Sequence, residues 1–140
     1  MLIGIDPLLR GQLLAALDEM GHGDLLVIAD ANFPGRRLGA RVLDVQGADA
    51  PTVLRAVASV FPIDPEAPVL LMASPQGRLP VQDDLLAAAA VRAPVVSIVE
   101  LSRYDFYDQA REASVILLTG ELRPYGNLLL RKGVVTLGIC

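Results

Sequence analysis

Short apolar segments separated by helical patterns are the feature that most constrains the fold of this chain. Segments 25–29, 69–73, 95–99 and 114–118 are each five residues long, rich in Val, Ile and Leu, and almost free of polar residues. Such segments are typical of strands that are buried on both faces, as in a parallel sheet covered by helices on both sides. The sequence therefore predicts an α/β fold of three αβα layers with a mainly parallel sheet.

Four helices are predicted from apolar residues at helical spacing and from start and stop signals, one before the first of these strands and three between them. The first is predicted to begin at Asp6-Pro7, because Asp can accept hydrogen bonds from free N–H groups and Pro fits the first helical position. Gly21 is predicted to end it. Ser102 is a predicted N-cap, because Asp105 follows it at capping-box spacing. The other helices are predicted from Asp49 to Pro62, from Val81 to Arg92 and from Ser102 to about Glu112.

Two more strands complete the predicted sheet. Residues 41–45 alternate between apolar and polar side chains, and the last strand is predicted over 127–135. A chain of 140 residues is most simply one domain, here residues 1–140. Its 53% hydrophobic and 20% charged residues are typical of a folded protein and disfavour disorder.

Charge and composition exclude several classes of protein. The formal net charge of -4, without a block of Lys or Arg, disfavours nucleic acid as a partner. The N-terminus has no basic region followed by an apolar run, and no stretch of 18 apolar residues exists, so we expect a cytoplasmic protein without a membrane partner. Cys140, the only cysteine, cannot form an internal disulfide and is expected to be a bystander thiol. One histidine and one distant cysteine disfavour a zinc site.

The densest candidate site is the GHGD sequence at 21–24, followed by Asp30 at the predicted end of a strand. His22 lies between two glycines, so neighbouring side chains do not shield it, and an imidazole can donate or accept a proton near neutral pH. Asp30 lies where parallel sheets expose groups to ligands. One interpretation is an acid/base histidine with a carboxylate that orients it or binds a hydroxyl. The other is a solvent-facing loop histidine and a capping aspartate, and the spacing leaves both open.

A second candidate, Arg103, falls in the first turn of a predicted helix, where the helix dipole mildly disfavours a cation. It is either a donor to ligand oxygens or an ordinary solvated arginine. The aromatic residues that follow it, Tyr104, Phe106 and Tyr107, have the helical spacing of a core, although one of them could line a site.

A third candidate is the turn that contains Tyr125 and Asn127, because a phenol and an amide both donate and accept hydrogen bonds. The alternative is an ordinary turn in which Asn serves for its backbone tolerance. Glu121 could hold either Arg123 or a ligand, and spacing does not decide between them. The chain has neither a nucleotide-binding glycine motif nor a G-x-S-x-G nucleophile motif.

Three groups of motifs, separated along the chain, carry a family resemblance. They are EMGHGD at 19–24 with ADANFP at 29–34, then SRYDFY at 102–107, and finally TGE at 119–121, YGN at 125–127 and RKGV at 131–134. In this order they resemble the N-terminal signature, the R-x-x-F-Y helix and the C-terminal signature of the RbsD/FucU family. The chain is similar to the fucose branch of that family, because Arg103 lies where the ribose branch has histidine.

The resemblance implies an RbsD-like fold and an enzyme that interconverts the α and β anomers of a free monosaccharide, most closely L-fucose, without a cofactor or metal. It implies His22 and Asp30 as catalytic residues, and Asp30, Arg103, Tyr125 and Asn127 as residues that bind the sugar. It also implies a homo-oligomer built of rings, such as a decamer, with sites near subunit boundaries.

Two segments depart from the fucose-branch pattern, namely the loop at 74–78 and the tail at 136–140. If either borders the pocket, the preferred sugar changes, so a mutarotase for another sugar such as ribose is one alternative. A module that binds or senses a monosaccharide without catalysis is the other.

Overall fold

Four α-helices and six strands build the part of the chain that the structure, a computed structural model, describes, which is residues 1–138. The expectation for Cys140 lies outside these residues. The helices are α1 (Gly11–Glu19), α2 (Ala50–Ala58), α3 (Pro80–Ala89) and α4 (Arg103–Arg111), with one 3-10 turn at Arg36–Leu38. The strands are β1 (Leu25–Ala29), β2 (Val42–Val45), β3 (Val69–Met72), β4 (Ile98–Leu101), β5 (Val115–Thr119) and β6 (Leu128–Arg131).

The strands form one sheet in the order β2-β5-β1-β6-β3-β4. Strand β6 lies between β1 and β3 and runs antiparallel to both, whereas every other pairing is parallel. Every residue of β1 and β5 is buried, as expected for strands near the centre of a sheet covered on both faces. The mainly parallel sheet predicted from the sequence is therefore confirmed, with one antiparallel strand inside it.

The side chains of β1 divide between two apolar cores, one on each face of the sheet. Leu26 and Ile28 belong to the core that also contains apolar residues of α1, α2 and α3. Val27 and Ala29 belong to the other core, with Phe106 of α4. Because each fully buried Leu or Ile side chain contributes about 1.5–3 kcal/mol, the two cores hold the helices against the sheet from both sides. The three αβα layers are confirmed.

The first helix begins later than predicted, at Gly11 and not at Asp6-Pro7. The Asp6 carboxylate accepts the N–H of Leu8, so this segment forms a local turn that competes with a helix. The residue before the helix, Arg10, is extended. The prediction of a helix start at Asp6-Pro7 was therefore wrong, although the helix itself exists.

The fourth and last strands also differ from the predicted ranges, because a strand extends only as far as its neighbours. Strand β4 covers 98–101 and not 95–99, since its partner β3 begins at Val69, after a proline that has no N–H to donate. Strand β6 ends at Arg131 and not at 135, where the pairing with β1 also ends. Helix α3 ends at Ala89, before the predicted Arg92.

The topology collects loop residues at one edge of the sheet. Strands β1, β3 and β5 end there, and β6, being antiparallel, begins there. The segments that follow Ala29 and Thr119 therefore meet the segment that precedes Leu128. This carboxyl edge is where ligands bind in open α/β sheets. Within residues 1–138, no helix combines the length and the apolar character needed to cross a membrane.

The N-cap of α2 provides a test of the fold. The Asp49 carboxylate accepts the N–H of Thr52 at 2.9 Å, and this contact lowers the pKa of Asp49 below its ordinary value of 3.8. The ionised cap therefore stabilises the folded protein above that value, and the contribution disappears as the pH falls through the lower folded value. We expect Asp49→Ala to reduce the free energy of unfolding by about 1 kcal/mol at pH 7 and by progressively less as the pH falls below 3.8, as measured by urea unfolding. Asp49→Asn, which keeps a capping oxygen, should lose less, and a loss for Asp49→Ala that does not change with pH would contradict this account.

Candidate active site

A buried carboxylate–amide pair lies at the centre of the carboxyl edge. The side-chain oxygen of Asn127 accepts the backbone N–H of Asp30 at 2.8 Å, and Asn127 Nδ2 donates to Asp30 Oδ2 at 3.0 Å. The other carboxylate oxygen, Oδ1, accepts the N–H of Asn32 at 2.9 Å. Both side chains are almost fully buried, with 7% of Asp30 and 2% of Asn127 exposed, so the pair holds a fixed geometry. The structure thus brings together two of the predicted site residues.

Burial raises the pKa of the Asp30 carboxyl above its ordinary value of 3.8, and the nearby negative charge of Glu121 adds to this effect. The hydrogen bonds from Asn32 and Asn127 oppose it but do not outweigh it. Because the folded pKa lies above the unfolded one, the contribution of Asp30 to stability is fully present below 3.8 and declines as the pH rises through the raised value. A carboxylate with these properties accepts a proton more readily than an exposed aspartate does.

The end of β5 fastens the Asp30 loop to the rest of the edge. Thr119 donates its hydroxyl to the carbonyl of Ala29 at 2.7 Å, and Ala31 donates its N–H to the carbonyl of Glu121 at 2.8 Å. Thr119 is fully buried. The two hydrogen bonds are made by the residues immediately before and after Asp30, so they set the position of the loop after β1.

Tyr125 lies three positions before the first residue of β6 and has a φ of 61°, which is in the left-handed region that residues with side chains rarely adopt. Its half-buried ring packs on the core below α4. Non-glycine residues in this region cost about 1–3 kcal/mol and occur where surrounding contacts enforce them. The predicted turn at Tyr125 is therefore a strained one, and it lies two residues before Asn127 in the chain.

Arg103 begins α4 at the same edge. Its guanidinium donates to the hydroxyl of Tyr104 at 3.2 Å and lies 5.1 Å from the centre of that ring. Of the aromatic residues that follow, Phe106 is fully buried, whereas Tyr104 is 67% exposed, so only part of the run belongs to the core. Tyr107 packs edge-to-face against Phe33, with 5.5 Å between the ring centres. These rings form an aromatic border on one side of the edge.

His22 lies at the opposite edge of the sheet, in the loop before β1. Its imidazole is 63% exposed, and its Nε2 is 3.5 Å from Asp64 Oδ2. The loop is anchored to the end of β6, because Gly23 donates its N–H to Lys132 and its carbonyl accepts a hydrogen bond from Arg131. The carboxylate beside His22 is thus Asp64.

Within one chain, His22 and Asp30 do not meet. They lie at opposite ends of the five-residue strand β1. Because a strand rises about 3.3 Å per residue, roughly 16 Å separates the two loops. Asp30 and Asn127 come together. Tyr125 lies in the turn just before Asn127, Arg103 begins α4 at the same edge, and His22 stands apart from them.

An apolar groove of about 540 Å³ lies beside Asp64, near His22 and away from Asp30. Its walls are mostly aliphatic, and they include three valines that are each more than half exposed. These valines are Val96, Val134 and Val135. An apolar surface of this kind beside a polar side chain is typical of a protein–protein contact.

Sequence reasoning missed Asp64, because 42 positions separate it from His22 and no local spacing joins the two. It left Glu121 undecided between Arg123 and a ligand, and the structure pairs it with Arg123. Among residues 1–138, no group of three or more His, Cys, Asp or Glu residues lies close enough together to hold a metal ion.

A mainly parallel sheet with a buried carboxylate–amide pair at its carboxyl edge places this chain among the α/β proteins, a class whose ligands usually bind at that edge. The family model described as the RbsD / FucU transport protein family matches residues 3–135. The chain belongs to this family.

Solved structures agree with this assignment. A protein for which sugar binding has been suggested has a TM-score of 0.89 and 38% identity, with 97% of each chain covered. The fucose mutarotase of Streptococcus pneumoniae, in complex with L-fucose, has a TM-score of 0.86 and 30% identity over 96% of this chain and 100% of that one. RbsD of Bacillus subtilis, complexed with D-ribose, has a TM-score of 0.76 and 25% identity over 97% and 100%.

The pair of Asp30 and Asn127 can be tested through stability. Asn127→Asp replaces the donor that faces Asp30 Oδ2 with a second carboxylate, so we expect a loss of at least about 2 kcal/mol in the free energy of unfolding at pH 7. The loss should shrink as the pH is lowered through the raised pKa of Asp30, because the carboxylate takes up a proton there. Asn32→Asp, which adds the same charge at an exposed position, should cost less than about 0.5 kcal/mol. Equal effects of the two substitutions in urea unfolding would contradict the buried pairing.

Proposed function

We propose that this protein is a mutarotase that interconverts the α and β anomers of a free monosaccharide, with L-fucose as its first candidate. The observation that carries the proposal is the buried pair of Asp30 and Asn127, preceded in the chain by the strained turn at Tyr125, in a chain of the RbsD/FucU family. The fucose mutarotase with L-fucose bound aligns with 96% of this chain, which supports the enzyme class.

The reaction suits these groups. One group removes the proton of the anomeric hydroxyl while another protonates the ring oxygen, so the ring opens to the aldehyde. The carbonyl then rotates, and the ring closes on its other face. Positioned acid/base groups contribute about 10²–10⁴-fold each, which is sufficient for a reaction that already proceeds slowly in water. No step calls for a metal or a cofactor.

The site residues divide into two roles in this proposal. Asp30 accepts either a proton or a hydrogen bond from a sugar hydroxyl, and its raised pKa makes it a better proton acceptor than an ordinary aspartate. Asn127, Tyr125 and Arg103 donate hydrogen bonds that orient the sugar, since an amide, a phenol and a guanidinium all offer N–H or O–H groups at the same edge.

His22 completes the site from a second copy of the chain. Within one chain it lies at the other end of β1 from Asp30, so it can reach a bound sugar only in a neighbouring subunit. Such a contact joins two different surfaces of the protein, and contacts of this type form a ring when the rotation between neighbouring copies closes. The apolar groove beside Asp64 offers one surface, and the exposed Leu122 and Tyr104 near the Asp30 edge offer an apolar counterpart. The proposed protein is therefore a ring-forming homo-oligomer, consistent with the decamer expected from the family resemblance.

Two observations favour L-fucose over D-ribose as the substrate. The identity to the fucose mutarotase is 30%, and that to the RbsD complexed with D-ribose is 25%. Arg103, which the family resemblance assigns to the fucose branch, lies at the same edge as Asp30 and Asn127.

Saturation-transfer NMR tests the activity directly. We expect the purified protein to accelerate α/β exchange of L-fucose above the buffer rate, and His22→Ala and Asp30→Asn each to reduce that acceleration by about 10²-fold or more. Asp105→Asn, an exposed carboxylate change at the start of α4, serves as the control and should retain it. Exchange at the buffer rate for fucose, ribose and galactose alike would end the proposal.

A complementation experiment tests the shared site. His22→Ala and Asp30→Asn chains, each nearly inactive alone, are unfolded together in equal amounts and refolded into mixed rings. If the histidine acts across a subunit boundary, about one quarter of the contacts regain both groups, and about one quarter of the wild-type rate returns. A mixture that stays as inactive as its components would show that the two residues do not cooperate between copies.

A sugar-binding module is the second candidate function. It is favoured by the resemblance to a protein for which sugar binding has been suggested, and by the fact that Asp30 and Asn127 already satisfy each other. Sugar binding in a chemical-shift titration, together with exchange at the buffer rate, would identify this function in place of catalysis.

A further inference from the structure

The loop between β5 and β6 contains an ion pair that the proposed chemistry does not use. Glu121 is 3% exposed, yet it is a charged residue two positions after the end of β5. It is followed by Arg123, and the loop then leads through Tyr125 to Asn127. Buried glutamates are rare unless paired, so the loop carries this carboxylate for a specific contact.

Arg123 holds Glu121 through three hydrogen bonds. Its backbone N–H and its Nε donate to Glu121 Oε2 at 3.0 and 3.2 Å, and its Nη2 donates to Oε1 at 3.0 Å. Its remaining Nη1 donates to Asp84 on α3 at 2.8 Å. A planar guanidinium that meets both oxygens of one carboxylate fixes orientation as well as distance. The ion pair therefore joins two residues within the loop, and Arg123 also attaches the loop to α3.

The strained turn rests directly on this ion pair. A Cβ added to Gly126 would lie 2.9 Å from Glu121 Cγ and 3.3 Å from the carbonyl oxygen of Arg123. The backbone at Gly126 thus packs against the glutamate side chain, immediately after Tyr125 with its φ of 61°. A left-handed tyrosine persists only where its surroundings enforce it, and here Glu121 contacts the turn together with Val81, whose Cγ2 would lie 3.1 Å from the added Cβ.

The same glutamate also reaches the Asp30 loop, since its backbone carbonyl accepts the N–H of Ala31 at 2.8 Å. Glu121 therefore lies between the two halves of the candidate site. Its backbone holds the segment after Asp30, and its side chain holds the segment before Asn127.

We propose that Glu121 and Arg123 are positioning residues that set the spacing of Tyr125 and Asn127 from Asp30 and thereby determine the affinity for the sugar. This inference rests on the proposed function for its ligand, but its structural content is independent of catalysis. The two residues act through the turn and do not contact the sugar.

Glu121→Gln tests the inference, because Gln has the same shape but cannot accept both arms of the guanidinium. We expect the dissociation constant for L-fucose, from chemical-shift titration, to rise between about tenfold and a hundredfold. The three-bond HN–Hα coupling of Tyr125, which reports φ, should change in the same variant without sugar. Asp108→Asn, which breaks the exposed pair of Asp108 and Arg111 on α4, is the matched control and should leave both readouts unchanged.

Arg123→Lys is the second variant, and it carries the test if Glu121→Gln does not fold. Lysine keeps the charge but cannot form the planar double contact, so an intermediate rise in the dissociation constant is expected. An unchanged Tyr125 coupling with wild-type affinity in a folded variant would overturn the inference. If the wild type binds sugar without accelerating exchange, the mutarotase proposal fails, and the change in sugar affinity still tests the positioning role of Glu121 and Arg123. If it binds no sugar, an unchanged Tyr125 coupling overturns the positioning role and a changed coupling supports it.

Discussion

The hydrogen-bonded pair of Asp30 and Asn127 joins two points of the chain that are 97 residues apart, and the candidate site is built around it. It exists because β6 enters the sheet antiparallel to β1, so that the start of one strand meets the end of the other. A parallel β6 would have placed Asn127 at the opposite edge. A single reversed strand in an otherwise parallel sheet therefore creates the pair, and the turn of Tyr125 follows from the same reversal.

The same two strands explain why one chain cannot hold every expected site residue. The far end of β6 anchors the loop of His22, through Arg131 and Lys132, as firmly as its near end anchors Asp30. Strands of four and five residues are too long for the two ends to share a ligand and are held too rigidly to bend. Under the proposed function, rings that bring unlike edges together resolve this geometry, and a monomer does not.

The sequence predicted the strands well, because β1, β3 and β5 coincide with apolar runs whose burial needs no long-range information. The family and the α/β fold are confirmed. Local patterns do not carry strand direction, however, so the reversal of β6 could not be read from spacing. The separation of His22 from Asp30 was implied by the predicted strand over 25–29 between them, and the interpretation of the two residues as one site did not take it into account. The partner of Asp64 depends on loops that meet only in the folded chain. Glu121 pairs with Arg123, two positions away, which was one of the two options that spacing left open. The catalytic and binding roles of the five site residues are still predictions.

Two buried carboxylates, Asp30 and Glu121, lie near each other at the carboxyl edge, and their surroundings shift their pKa values in opposite directions. Burial alone would raise the pKa of Glu121, but the hydrogen bonds and charge of Arg123 outweigh burial and lower it. Asp30 has only an amide and backbone N–H groups as partners, so burial prevails and raises its pKa. Pairs of carboxyls that are separated in this way mark different tasks. Glu121, whose charge Arg123 balances, is suited to hold structure. Within residues 1–138 no cation pairs with Asp30, so under the proposed function Asp30 is the group suited to exchange a proton with the sugar.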